Sequence, residues 1–246
     1  MSLAVILAAG QGIRLRPLTD SVPKALIRID DRPLIRYSLA NLSRQGIHEA
    51  LVVVGYKGEL IREELGEACE GISITYVDNP NYSTSGSMCS LRAAEPHIRG
   101  GILLLESDLF YEQRAIEIAE ESPYADLILV AKVRGSGDEV YIDADKRGRL
   151  IGLGKELARR KGAVGELVGI SKLSYRFLKR MSTQSQIDIS IDPKISYEEV
   201  IATTARHYSH SVYCVFVKGL RWTEVDTAHD LDVAVRLAGG TYCDDP

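Results

Sequence analysis

The chain has 246 residues, 45% of them hydrophobic and 26% charged, enough to bury one large core or one core with a small appendage. Its formal net charge of −4 offers no overall basic field, which argues against a nucleic-acid binder. Its four cysteines, Cys69, Cys89, Cys214 and Cys243, form no Cys-x-x-Cys pair, so neither a zinc knuckle nor a dithiol redox site is indicated.

The start, Met1-Ser2-Leu3, has no basic leader, and Ala4 to Ala9 is too short for a signal core or a membrane span, so a cytoplasmic protein without a membrane partner is expected. Ala4 to Leu7 predicts a short central strand, followed by the small residues Ala8, Ala9, Gly10 and Gly12. Pro33 opens a helical pattern through Leu34, Ile35, Leu39 and Leu42, with Gly46 placed as its C-terminal cap. Ala50 to Val54 predicts a buried strand, Glu59 to Leu65 an amphipathic helix, and Ile72 to Val77 a third strand. A long turn from Asp78 to Ser87 leads into a helix near Met88 to Ala94, and Gly101 to Leu105 makes a fourth strand ending at Glu106-Ser107-Asp108. This alternation is a doubly wound α/β pattern, in which ligands gather at the carboxyl ends of strands.

The second half reads as a β-rich lid: Leu127 to Val133, Glu139 to Ala144 and Leu150 to Leu153 are strands, with Asp145-Lys146-Arg147-Gly148 a hairpin loop. Val168 to Ser171 adds a strand, helices follow near Tyr175 to Met181 and Tyr197 to Thr204, and Val212 to Val217 returns to strand. A final helix, Thr227 to Leu237, has Asp226 and Thr227 as cap candidates. With no repeat and no long linker, the expectation is a single domain over 1–246 with a β-rich insert at about 134–172.

The turn after the first strand carries the strongest chemical signal. Small residues let backbone N–H groups close on an anion, and Arg14, Arg16 and Lys24 add full positive charge that peptide dipoles alone do not supply. A third glycine is missing where the dinucleotide fingerprint needs one, at Ile13-Arg14-Leu15, and no Lys-Ser or Lys-Thr follows Gly12 as a Walker loop requires. A plain strand-to-helix turn is the alternative, and it has no need of three cations.

The run Leu7-Ala8-Ala9-Gly10-x-Gly12-x-Arg14-Leu15-x-Pro17-Leu18-Thr19, then Pro23-Lys24, resembles the signature of nucleotidyltransferases that activate sugar phosphates and phosphocholine. Further on, Asn79-Pro80-Asn81-Tyr82-Ser83-Thr84-Ser85-Gly86-Ser87 through Leu91 is similar to the cytidylyltransferase branch, as in bacterial choline-phosphate and 2-aminoethylphosphonate cytidylyltransferases. The resemblance implies a Rossmann-like doubly wound mixed sheet of the nucleotide-diphospho-sugar transferase type. It also implies Mg²⁺-dependent transfer of CMP from CTP to a small phosphorylated or phosphonate acceptor, with pyrophosphate expelled.

Carried onto this chain, the resemblance implies metal binding by Asp108, after the fourth strand, and Asp226, before the last helix; the ordinary alternative for each is a helix N-cap. Lys24 is the candidate cation for the phosphates around the reacting phosphorus and Arg14 for the leaving pyrophosphate. Leu7, Ala8, Ala9, Gly10 and Gly12 would surround the nucleotide, and Thr84, Ser85, Gly86 and Ser87 would lie against the base, unless these serines only cap the helix near Met88. Lys155, Glu166, Tyr141 and Glu139 are candidates for holding the acceptor, or else solvated charges at strand ends.

Where phosphocholine relatives are expected to place a bulky ring, this chain has Val140. With Asp138, Glu139 and Glu166 close in sequence, that departure leans toward 2-aminoethylphosphonate, although Tyr82, Tyr141 and Trp222 are available for an aromatic cage. The rival readings are a sugar-1-phosphate or inositol-phosphate nucleotidyltransferase and a non-catalytic nucleotide-binding regulatory protein. The oligomeric state is left open, a homodimer included.

Overall fold

A computed structural model describes residues 3–137, 139–159 and 163–239; Asp138 and Cys243 lie outside the described residues. Strand β1 (Leu3–Ala8) is apolar throughout because both its faces are covered. Three short 3-10 turns, Ile13–Leu15, Leu18–Asp20 and Lys24–Leu26, follow, then a ribbon of β2 (Arg28–Ile29) and β3 (Arg32–Pro33). Helix α1 (Leu34–Arg44) starts after Pro33, and Gly46, at φ 77°, turns the chain out of it as expected. The alternation continues through β4 (Glu49–Val54), α2 (Gly58–Leu65), β5 (Ala68–Cys69), β6 (Ile72–Asp78), α3 (Ser87–Ala94) and β7 (Ile102–Glu106).

The second half contains β8 (Leu109–Tyr111), α4 (Arg114–Glu121), β9 (Leu127–Ala131), β10 (Tyr141–Ala144), β11 (Leu150–Gly154) and β12 (Gly165–Leu173). It closes with α5 (Tyr175–Ile191), α6 (Tyr197–His207), β13 (Tyr213–Phe216), β14 (Trp222–Glu224) and α7 (Ala228–Ala238). Both α6 and α7 begin with a capping box, Ser196 with Glu199 and Thr227 with Asp230. No helix among the described residues is long and apolar enough to cross a membrane.

The main sheet runs β11-β10-β12-β7-β1-β4-β6-β5, with β9 on the other edge of β12 and β13 beside β9. β1 is parallel to both β4 and β7, while β12 is antiparallel to β7. Alternate residues of β1 feed two cores. Ala4, Ile6 and Ala8 pack with Ile35, Ile61 and Ile116 of α1, α2 and α4, whereas Val5 and Leu7 pack with Met88, Phe177 and Tyr197 from α3, α5 and α6. Helices thus cover both faces of a mixed sheet, the doubly wound arrangement read from the sequence.

β12 changes partner midway. Ile170 to Leu173 pair with β7, Gly165 and Glu166 pair with β10, and the register against β9 shifts between Leu167 and Ser171. Gly169 sits in this bend at φ 83°, where a Cβ would lie 2.8 Å from Glu106 Oε2. The sheet therefore parts beside the carboxyl end of β7.

The segment expected as an insert adds β10, β11 and most of β12 to this same sheet, and β11 closes back onto β13 through Leu150 N to Val212 O and Cys214 N to Gly148 O. β9 stops at Ala131 and β10 begins at Tyr141, both short of the expected limits, because the chain between them turns aside with Gly135 and Gly137 at positive φ. A third, small core of Leu15, Ile29, Phe110, Val225 and Leu237 binds the first 3-10 turn, β8 and α7 into one block.

Candidate active site

A cleft of about 550 Å³ opens at the carboxyl ends of β1 and β7, lined on one side by Leu7, Ala8, Ala9 and Gly10. At Gly10 a Cβ would meet nothing within 4 Å, so the backbone there faces open space. Gly12 instead shapes the turn: it is left-handed at φ 59°, its carbonyl accepts the Thr19 hydroxyl at 2.8 Å, and it is not among the lining residues.

The turn delivers two of its three cations to carboxylates far away in sequence, while Arg16 pairs with nearby Asp20. Lys24 Nζ donates to Asp108 Oδ2 at 2.5 Å and to Asp226 Oδ1, and Arg14 Nη2 donates to Asp226 Oδ2 at 2.6 Å. Pairing of β14 with β8 makes the meeting possible, since Glu224 lies opposite Leu109 and Val225 N bonds Asp108 O. Neither aspartate caps a helix. α4 begins only at Arg114, after Gln113, and the α7 cap is the Thr227 hydroxyl, which accepts from Asp230 N.

Two acids that the sequence reading passed over complete the cluster. Carboxylate oxygens of Glu106, Asp108 and Glu224 lie within 4.8 Å of one another, and Asp108 Oδ1 is buried without a partner. Burial pushes Glu224 up to about 9, helped by Asp108 and Asp226, so at neutral pH it is protonated and its carboxyl bonds Asp226. Burial works against ionisation of Asp226 as well, but Lys24, the bond from Glu224 and Arg14 outweigh it and hold this acid below the usual carboxylate value. Burial likewise opposes the Lys24 ammonium, yet Asp108 and Asp226 overcome it and raise the lysine above its ordinary pKa. Burial, with Glu198, Asp108 and Glu224 nearby, raises Glu106 well above normal; its Oε1 accepts from Tyr197 Oη at 2.9 Å.

Oxygen donors at this spacing, one of them orphaned, suit a hard divalent cation such as Mg²⁺. Asp108 is common to that trio and to the lysine bridge. The second predicted ligand, Asp226, reaches it through Lys24 and Glu224.

Of the turn expected near the base, Ser85, Gly86 and Ser87 line the cleft, whereas exposed Thr84 directs its hydroxyl to Asn81 O. The serines do not cap α3, whose N-cap is Gly86 with no side-chain bond. Ser87 Oγ accepts from Tyr197 N at 2.9 Å. Gly86 packs so closely on the chain before α6 that a Cβ would fall 2.2 Å from the carbonyl oxygens of Lys194 and Ile195.

Of the residues expected to hold the acceptor, Lys155, Glu139 and Glu166 line the cleft and Tyr141 does not. Lys155 lines the cleft at the start of a 3-10 turn after β11. Glu166 also lines it, but its carboxylate is taken up by Arg134, whose Nε donates to Oε1 at 2.6 Å. Glu139 folds onto its own loop, accepting from Gly137 N, Ser136 Oγ and Tyr141 Oη. Tyr141 is spent on that bond, Arg134 covers the Trp222 ring at 4.1 Å, and of the three rings proposed for a cage only Tyr82 lines the cleft. Arg134 was invisible in sequence because its partners lie 32 and 89 positions away.

The family model described as nucleotidyl transferase matches residues 3–147. Among curated proteins, the CMP-5'-(3-aminopropyl)phosphonate synthase of Streptomyces rubellomurinus is 28% identical over 236 residues, covering 92% of this chain and 37% of that protein. The choline-phosphate cytidylyltransferase of Streptococcus pneumoniae is 38% identical over 88 residues, 36% of this chain and 37% of the relative. The aligned regions thus span well under half the length of these relatives. Among solved structures, the inositol-1-phosphate CTP transferase from T. maritima matches with a TM-score of 0.79 at 22% identity, covering 99% of this chain and 98% of that one, a likeness of fold.

Proposed function

The chain belongs to the nucleotidyl transferase family, and from that premise we infer that it is a Mg²⁺-dependent cytidylyltransferase. It would transfer CMP from CTP to the phosphonate or phosphate oxygen of a small acceptor and release pyrophosphate. The observation that carries this reading is the meeting of Lys24 and Arg14, from the glycine turn, with Asp108 and Asp226.

The acceptor oxygen attacks the α-phosphorus. A new P–O bond forms as the bond from that phosphorus to the α,β-bridging oxygen breaks, and the electron pair leaves with pyrophosphate. The attacking oxyanion is already ionised, so no proton need be removed. Like charges about 4 Å apart repel by about 4 kcal/mol per pair at an effective dielectric near 20, which sets the task for the protein's cations. Lys24 stabilises charge on the reacting phosphoryl group and Arg14 on the departing pyrophosphate. Asp108 and Asp226, with Glu224 beside them, would hold a Mg²⁺ ion, which when bound supplies charge neutralisation to the phosphates.

Cytosine is supported by the names of two relatives and by the hydroxyl of Ser85 in the cleft, which suits its polar edge. For the acceptor, an aminoalkylphosphonate such as 2-aminoethylphosphonate is favoured over phosphocholine. The proposed rings leave no cage for a quaternary ammonium, since Arg134 covers Trp222 and Tyr141 bonds Glu139. In this reading 1–246 is one catalytic domain, and the segment at about 134–172 supplies the acceptor side.

The deciding experiment is pyrophosphate release with CTP, Mg²⁺ and 2-aminoethylphosphonate. No turnover with any of CTP, UTP, dTTP, ATP or GTP, against aminoalkylphosphonates, phosphocholine and sugar or inositol phosphates, refutes the reading.

A further inference from the structure

The half of the cleft facing away from the glycine turn is organised around Arg134, which follows β9. Three contacts fix its guanidinium. Nε donates to Glu166 Oε1 at 2.6 Å, Nη1 donates to Thr223 Oγ1 at 2.8 Å, and the Trp222 ring lies against one face at 4.1 Å. Glu166 is itself only 1% exposed, so the arginine compensates a carboxylate that would be costly to bury alone. A guanidinium offers more N–H donors than these contacts use, and Nη2 has no recorded protein acceptor among the described residues. Held this way beside the cleft, it has little rotamer freedom left to lose on binding an anion.

The sheet order says which anion. β1, β7, β12 and β9 are successive neighbours, and β9 runs in the same sense as β7 because both are antiparallel to β12. The chain just past β9, with Arg134, and the start of β12, with Glu166, therefore lie at the same edge as Gly10 and Asp108. Across that edge come the glycine turn, then the carboxylates, then Arg134. In-line displacement puts the incoming oxygen and the leaving pyrophosphate on opposite sides of the phosphorus. With the polyphosphate on the glycine side, the incoming group approaches from the side of Arg134.

Resting on the phosphoryl-transfer reading above, we propose that Arg134 binds the oxyanion of the acceptor, and that Glu166 and Trp222 are positioning residues that fix its guanidinium, Glu166 making no contact with the acceptor's head group. The test measures binding of 2-aminoethylphosphonate, of methylphosphonate, which lacks the amine, and of CTP to the full chain by calorimetry. It compares the unaltered protein with Arg134→Gln, Arg134→Lys and Glu166→Gln, alongside steady-state kinetics.

Arg134→Gln is expected to weaken both phosphonates by about tenfold or more while CTP affinity stays within about twofold. Arg134→Lys, which keeps the charge but not the fork, falls between, and serves as the folded comparison should the glutamine variant unfold. Glu166→Gln is expected to raise the acceptor KM and leave kcat and the CTP KM in place. The inference is overturned if Arg134→Gln, or Arg134→Lys where the glutamine variant unfolds, binds both phosphonates like the unaltered protein. It is equally overturned if either variant loses phosphonate and CTP alike, or if the unaltered protein binds neither phosphonate. Phosphonate binding that depends on Arg134, without pyrophosphate release by the unaltered protein, strikes the catalytic reading alone.

Discussion

Replacing Lys24 by alanine removes the one cation among the described residues that touches both Asp108 and Asp226, and the lysine side chain is only 12% exposed. Breaking a buried pair by deleting one partner costs about 3–5 kcal/mol, because the other charge stays buried without compensation. Arg14 still covers one oxygen of Asp226 and the cleft admits water, so the lower end, about 3 kcal/mol, is expected. For a chain of this size that corresponds to a fall in melting temperature of about 6–12 °C.

The pH dependence has a definite sign. The raised pKa of Lys24 means that its contribution is fully present below the ordinary lysine value of 10.5 and is lost only as pH rises through the higher folded value. The lowered pKa of Asp226 means that its contribution is present above 3.8 and is lost as pH falls through the folded value. The gap between unaltered and Lys24→Ala proteins should therefore hold across neutral pH and narrow in acid. Saturating Mg²⁺ should recover more stability in the variant than in the parent, since the ion replaces the missing positive charge. In kinetics the variant should lose about a hundredfold or more in kcat and much less in CTP binding. Melting within about 2 °C of the parent, with no change of the gap in acid, refutes this reasoning.

Asp108→Asn and Asp226→Asn should each abolish pyrophosphate release while far-UV circular dichroism stays that of the parent; near-full rates in either show that the role is misassigned. Glu224, held protonated up to about pH 9, makes stability fall as pH rises from its ordinary 4.5 toward that value, because the unfolded chain releases a proton that the folded one keeps. Urea unfolding across this range should show the slope, and Glu224→Gln should flatten it; an unchanged slope places the proton elsewhere. If the Glu224 proton is displaced when Mg²⁺ binds, binding enthalpies near neutral pH will differ between buffers of different ionisation enthalpy, and identical values refute the displacement. Gly86→Ala drives a Cβ against the carbonyls of Lys194 and Ile195, so it should destabilise the fold by about 1–3 kcal/mol and weaken CTP binding; a parent-like melt shows that this approach is slack.

What the sequence revealed and what it hid divide along one physical line. β1 and β7 were legible because strands buried on both faces must be continuously apolar, and their ends point to Gly10 and Asp108. Asp108 was legible as a charge just beyond such a strand and Asp226, through the resemblance, as one before the last helix, but their partners were not. Glu106 and Asp108, like Glu224 and Asp226, are separated by one residue, the spacing that puts two side chains on one face of extended chain. That repeated Glu-x-Asp pattern was the available signal for the two missed acids. It becomes a cluster only when β8 pairs with β14 across more than a hundred residues, a contact that no local periodicity encodes.

Glu166 shows the same limit from the opposite direction. The resemblance made it a candidate for the acceptor, with a solvated strand-end charge as the alternative; its partner in the structure, Arg134, sits in a glycine-rich turn with no apolar pattern to mark it. A buried carboxylate needs a fixed cation wherever the chain can supply one, so an acid at the start of a strand as apolar as β12 already implied an unseen arginine or lysine. Which cation it would be depended on how β12 divides its pairing between β7 and β10, and that division is the same one that opens the cleft.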